Sequence, residues 1–153
     1  MITADKRVII DADACPKSVR AIISSLTAAY GWEMVTVASF KHNIEGTHLH
    51  ITVGDESQAV DFAVINLAKR GDIVVTQDWG LAAVLLGKGT RVISPSGRIY
   101  CNEKIEFLLE ERHLKANVRR AGGRTRGPAA RIKEDDEQFG RALERLINEG
   151  SDS

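Results

Sequence analysis

Two hydrophobic periods take turns along this chain. Arg7-Val8-Ile9-Ile10 is a continuous apolar run, the pattern of a strand buried on both faces of a parallel sheet. Pro16 suits the first turn of a helix, where its missing N–H costs nothing. Val19, Ile22, Ile23 and Leu26 then form a helical stripe that Gly31 stops. Further strands are predicted at Met34–Phe40, Leu49–Val53, Asp72–Gln77 and Arg91–Ile93. Helices are predicted at Ser57–Arg70, with Val60, Val64, Ile65 and Leu67 inward and Gly71 as C-cap, and at Leu81–Leu86. Ser96-Gly97-Arg98 reads as a turn and Ile99-Tyr100 as a short added strand. A helix from Asn102 or Glu103 carries Ile105, Leu108, Leu109 and Leu114. The last helix, 135–149, is capped by Asp135 or Asp136 and buries Phe139, Leu143, Leu146 and Ile147. Strands alternating with helices require right-handed crossovers. The expected fold is a three-layer α/β/α sandwich around a mostly parallel sheet of about five strands.

Composition narrows this little but excludes much. The 153 residues, 43 % of them hydrophobic, fit a single domain spanning 1–153 that buries about 68–70 % of its unfolded surface. Two cysteines, Cys15 and Cys101, are too few for a disulfide scaffold. No stretch approaches the ~20 apolar residues of a membrane span. The N-terminal residues lack the apolar core of a signal peptide, so a cytoplasmic protein is expected. The 21 basic and 21 acidic residues cancel in sum but not in place. Arg112, Lys115, Arg119, Arg120, Arg124, Arg126, Arg131 and Lys133 follow one another without an acid between them. Gly122-Gly123 and Gly127-Pro128 break any helix there, predicting a flexible basic flap over about 112–133 suited to phosphates.

The acids carry the candidate chemistry. Ligands of open parallel sheets bind outside the carboxyl ends of the strands. Asp11 and Asp13 lie just past the first strand, Asp78 just past the fourth, and Asp61 in the first turns of the helix after the third. A lone aspartate at a strand end ordinarily caps a helix or makes a turn. Four at one edge repel one another unless a cation balances them, and oxygen donors suit Mg²⁺ or Mn²⁺. His48 and His50 share a strand face, more simply read as a solvated edge than as a metal pair. Cys15 sits at a helix N-terminus without an obvious base, which favours packing. Trp79, Tyr100 and Phe139 are aromatic residues able to stack on bases, although the stripe assigns Phe139 to the core.

The runs Asp11-Ala12-Asp13-Ala14-Cys15-Pro16, Ala59-Val60-Asp61, Gly71-Asp72-Ile73-Val74-Val75-Thr76-Gln77-Asp78 with Leu81-Ala82-Ala83, and Arg124-Thr125-Arg126-Gly127-Pro128 closely resemble the uncharacterised bacterial YaiI/YqxD family. The likeness runs from about Val8 to Ile147. That family is grouped with PIN-like domains, whose better-known members are metal-dependent nucleases. The resemblance therefore implies an acidic site at one sheet edge. Many family members carry a further acid where this chain has Gln58, which argues against a complete two-metal centre but not against one ion.

The leading expectation is a nuclease acting on RNA or DNA. Asp11 and Asp78 would hold Mg²⁺ or Mn²⁺, Asp61 would complete the shell, and Asp13 would support it or bind a second ion. Arg119, Arg120, Arg124 and Arg126 would grip the nucleic-acid backbone. Two alternatives stand beside it. One is an Asp-nucleophile phosphatase, for which Gln77-Asp78 offers only one of the two late acids that chemistry wants. The other is a non-catalytic nucleic-acid-binding or adaptor protein that keeps an acidic metal pocket.

Overall fold

A computed structural model of the chain describes residues 6–40, 46, 48–54, 58–102 and 131–151. Its strands are β1 (Arg7–Asp11), β2 (Glu33–Ser39), β3 (Leu49–Val53), β4 (Ile73–Val75) and β5 (Arg91–Ile93). The helices among these residues are α1 (Lys17–Tyr30), α2 (Ala59–Leu67), α3 (Trp79–Gly87) and α4 (Lys133–Ser151). The strands form one all-parallel sheet in the order β3-β2-β1-β4-β5. β1 is central, with Ile9 opposite Val35 on one side and Val74 on the other.

Alternation along the strands feeds two cores, one on each side of the sheet. Val8, Ile10, Met34, Ile73 and Val75 pack with Val19 and Ile23 of α1 and with Phe139, Leu143 and Ile147 of α4. Ile9, Val35, Val37, Val74 and Val92 pack with Val64 of α2 and Leu81, Ala82 and Leu85 of α3. The architecture is the expected three-layer α/β/α sandwich. At the amino edge, Arg7 pairs with the buried Asp72 at 2.7 Å and donates to the Leu67 carbonyl, tying β1 to the entrance of β4. At the same edge, an Arg91 guanidinium nitrogen donates to the Leu146 carbonyl and links the start of β5 to α4.

Several boundaries move, each for a local reason. α2 ends at Leu67 because Ala68 turns extended; Gly71 is not its cap but the left-handed residue (φ +95°) of the turn into β4. α3 begins at Trp79, two residues earlier than its apolar pattern suggests, because Asp78 caps it. α4 begins at Lys133, and neither Asp135 nor Asp136 is its N-cap. Asp135 instead reaches back to accept the Ile132 N–H at 3.0 Å, as the acidic half of a capping box does. Asp136 binds Arg131 and the Ser18 hydroxyl. Ile99 makes one antiparallel bridge to Ile93 rather than a strand. The sheet is wholly, not mostly, parallel. The helix expected after Asn102 and the flap cations Arg119, Arg120, Arg124 and Arg126 lie outside the described residues.

Candidate active site

The order β3-β2-β1-β4-β5 reverses direction at β1, so the crevice at its carboxyl end is where such a sheet accepts ligands. Asp11 is the last residue of β1 and is buried. One residue past the last β1–β4 pair, Ile10 with Val75, stands Thr76, whose hydroxyl donates to Asp11 Oδ2 at 2.8 Å. The same hydroxyl oxygen accepts the Asp78 N–H at 3.0 Å. One threonine thus fixes both the buried carboxylate and the turn that presents Asp78.

Each remaining acid is held differently. Asp78 accepts the Gly80 and Leu81 N–H groups through Oδ1, at 2.9 and 3.1 Å, leaving Oδ2 outside the cap. Asp13 lies in the short 3-10 turn Ala12–Ala14 and accepts the Ser39 N–H at 3.1 and 3.2 Å, bracing the turn against the end of β2. Asp61 stands half-buried in the first turn of α2, whose N-cap Gln58 adopts a left-handed conformation (φ +76°) without a side-chain cap bond.

The acids feel one another. Burial pushes the Asp11 carboxyl up to about 6; the Thr76 hydroxyl opposes this, and Asp61, Asp13 and Asp78 each add to it by repulsion. Asp61 is also raised, first by burial and then by Asp78. The four acids that sequence spacing singles out therefore share one edge of the sheet, near enough for Asp11 to feel the other three. The sequence did not reveal Thr76, whose β-branched side chain after Ile73-Val74-Val75 reads simply as more strand. It named Tyr100 only as an aromatic residue able to stack on bases; the residue is buried and donates to the Thr76 carbonyl at 3.4 Å.

The secondary candidates resolve into packing. Cys15 is buried, and its thiol is pushed up to about 12 by that burial despite the nearby Arg20, so it stays protonated. His48 and His50 both meet the buried Thr36 hydroxyl, at 2.9 and 2.6 Å. His48 lines a groove of about 740 Å³ between α1 and the β2–β3 side that includes none of the four acids. Phe139 is fully buried, whereas Trp79 is half-buried beside Asp78.

A sequence model described as "Uncharacterized BCR, YaiI/YqxD family" matches residues 9–149. The chain belongs to the YaiI/YqxD family. It is 50 % identical over 143 residues to a UPF0178 protein of Heliobacterium modesticaldum, covering 94 % of this chain and 97 % of that one. A UPF0178 protein of Exiguobacterium sibiricum is 41 % identical over 144 residues, covering 94 % and 97 %. One from Staphylococcus saprophyticus is 44 % identical over 146 residues, covering 93 % and 94 %. No solved structure matches the chain.

Whether this family member's acids suit a cation depends on which cation. Among the described residues, no three His, Cys, Asp or Glu side chains are gathered closely enough to enclose an ion. That excludes a preformed cage in this conformation. Mg²⁺ needs no cage, because it keeps several waters and is commonly held by one or two carboxylates together with substrate phosphates. The donors fit such an ion: all are carboxylate oxygens, and Asp11 is destabilised as an anion by burial and by three like neighbours. Among the described residues, no helix is long and apolar enough to cross a membrane.

Proposed function

We propose that this protein is a divalent-metal-dependent phosphodiesterase that acts on RNA or DNA in the cytoplasm, with a PIN-like site at the carboxyl edge of its sheet. The observation that carries the reading is Asp11. A buried carboxylate, oriented by the Thr76 hydroxyl and crowded by Asp13, Asp61 and Asp78, is costly unless positive charge arrives. Asp11 and the uncapped oxygen of Asp78 would hold Mg²⁺ or Mn²⁺, with Asp61 completing the shell through a bound water. When bound, the ion supplies the Lewis acidity that activates water and offsets charge gathering on the phosphoryl oxygens. Asp13 fixes the turn carrying Asp11 through its bond to Ser39, and Thr76 keeps Asp11 from rotating away. The basic stretch with Arg119, Arg120, Arg124 and Arg126 would hold the sugar–phosphate backbone without reading sequence.

Incubation of wild type and Asp11→Asn with structured RNA and single-stranded DNA, in Mn²⁺ or EDTA, tests this reading. Cleavage should require the metal and should fall on the order of 100-fold or more in the variant, the cost of one preorganised electrostatic contact. Binding without cleavage under every condition would leave the adaptor alternative. Fast hydrolysis of p-nitrophenyl phosphate would leave the phosphatase.

A further inference from the structure

Beside the acids, on the β4–β5 side, lies a pocket of about 520 Å³ whose lining includes Trp79, Tyr100, Ser94, Ser96, Arg98 and Arg131. Its volume falls within the range of about 300–1,000 Å³ typical of small-ligand sites. Pro16, which follows the Asp11–Cys15 segment, and Gln77, which precedes Asp78, also line it, as does Asp135, whose carboxylate accepts the Ile132 N–H. Thr76 is shared by the two regions. Its hydroxyl donates to Asp11, while its carbonyl accepts from the Tyr100 hydroxyl in the pocket wall. Burial raises the Tyr100 phenol, the Arg98 cation lowers it and the Asp78 carboxylate raises it.

The fold fixes the backbone of Arg98 and the side chain of Arg131. Arg98 ends a turn in which Ser94 N–H donates to the Arg98 carbonyl at 2.8 Å and Arg98 N–H donates to the Ser94 hydroxyl at 3.1 Å. Gly97 in that turn has φ +92°, and a Cβ there would stand 3.1 Å from the backbone of Gln138 and Phe139. The turn is therefore pressed onto α4 and has no room for another residue. Arg131 gives its Nε to Asp136 at 2.6 Å, while its Nη2 is out of solvent and has no hydrogen-bond partner among the described residues.

An indole, a phenol, two guanidinium groups and two serine hydroxyls form a set that recognises a base and a phosphate together. We propose that this pocket holds one nucleotide of a single-stranded RNA or DNA, its base against Trp79 and its phosphate toward Arg98 and Arg131, so that the adjoining phosphodiester lies over the carboxylates. The strand must be single, because a paired and stacked base cannot enter a walled pocket. This assignment rests on the phosphodiesterase reading for what happens to the adjoining bond; occupancy of the pocket does not require the metal.

Calorimetric titration of the full chain with AMP, adenosine and inorganic phosphate in EDTA tests the pocket apart from the chemistry. AMP should bind saturably and at least about tenfold more tightly than phosphate. Trp79→Ala should weaken AMP roughly 5- to 150-fold, the range for loss of one stacked base, and Trp79→Phe should restore much of it. The exposed Arg98→Gln should weaken AMP but leave adenosine unchanged. AMP no tighter than phosphate, or insensitive to Trp79→Phe, Trp79→Ala and Arg98→Gln in folded protein, overturns the assignment. Metal-dependent cleavage by a wild type that fails to bind AMP also overturns it. Nucleotide binding by a wild type that cleaves nothing in Mn²⁺ supports the pocket and retires the phosphodiesterase reading.

Discussion

At the scale of single residues, Asp11 links burial to charge. Its carboxyl titrates near 6 in the folded protein against 3.8 for the unperturbed group. A raised acid pKa means that the native state binds the proton more tightly than the unfolded chain does. The resulting stabilisation is fully present below about 4 and is lost as pH rises through about 6. Two units correspond to about 3 kcal/mol as an upper figure. Urea unfolding of wild type and Asp11→Asn in EDTA should therefore show the variant gaining on wild type between pH 4 and pH 7.5 by up to that amount. Asparagine keeps an oxygen for the Thr76 hydroxyl, so the geometry survives the substitution. A difference that stays constant across this range would mean that Asp11 is solvated rather than buried among like charges. The four acids were legible from strand ends and from a helix start, since position relative to the sheet edge follows from order along the chain. Thr76 and Arg98 were not, because their roles depend on which strand or turn lies next to them.

At the scale of elements, Asp78 serves α3 before it serves any ligand. Asp78→Ala removes the acceptor for two N–H groups and should cost about 1 kcal/mol in EDTA, whereas Asp78→Asn keeps the cap and should be nearly neutral. Thermal denaturation of both variants checks this; equal loss in both would assign the effect to charge. α4 contributes by packing. Phe139 is fully buried between α1 and the sheet, and Phe139→Ala should destabilise by about 3–5 kcal/mol in denaturant titrations. A loss below 1 kcal/mol would mean that α4 is not part of this core. The stripe Phe139, Leu143, Leu146, Ile147 announced that helix in the sequence because 3.6-residue periodicity survives without tertiary context. The true ends of α2, α3 and α4 did not show, since they turn on single caps and on one extended residue, Ala68.

Across the whole molecule, a neutral sum of charges separates into an acidic sheet edge and a basic stretch of sequence. If the stretch holds a phosphate backbone, binding to single strands should weaken with salt at a log–log slope near −0.7 per contacted phosphate. Arg124→Ala with Arg126→Ala should make that slope shallower by roughly one to two units while leaving calorimetric Mn²⁺ affinity within about twofold. Salt-independent binding at low ionic strength would make the stretch ordinary solvated surface. The sequence by itself determined the α/β class, the parallel sheet, the two faces of the core and the edge to which Asp11, Asp13, Asp61 and Asp78 belong. These follow from hydrophobic period and chain order, which are local properties. Only the tertiary structure decided that β1 lies between β2 and β4 and that Thr76 therefore orients Asp11. It also decided that a turn locked on α4 brings Arg98 to the pocket beside Trp79. Such neighbours are far apart in sequence, and only the packing of the sheet against its helices sets which of them meet.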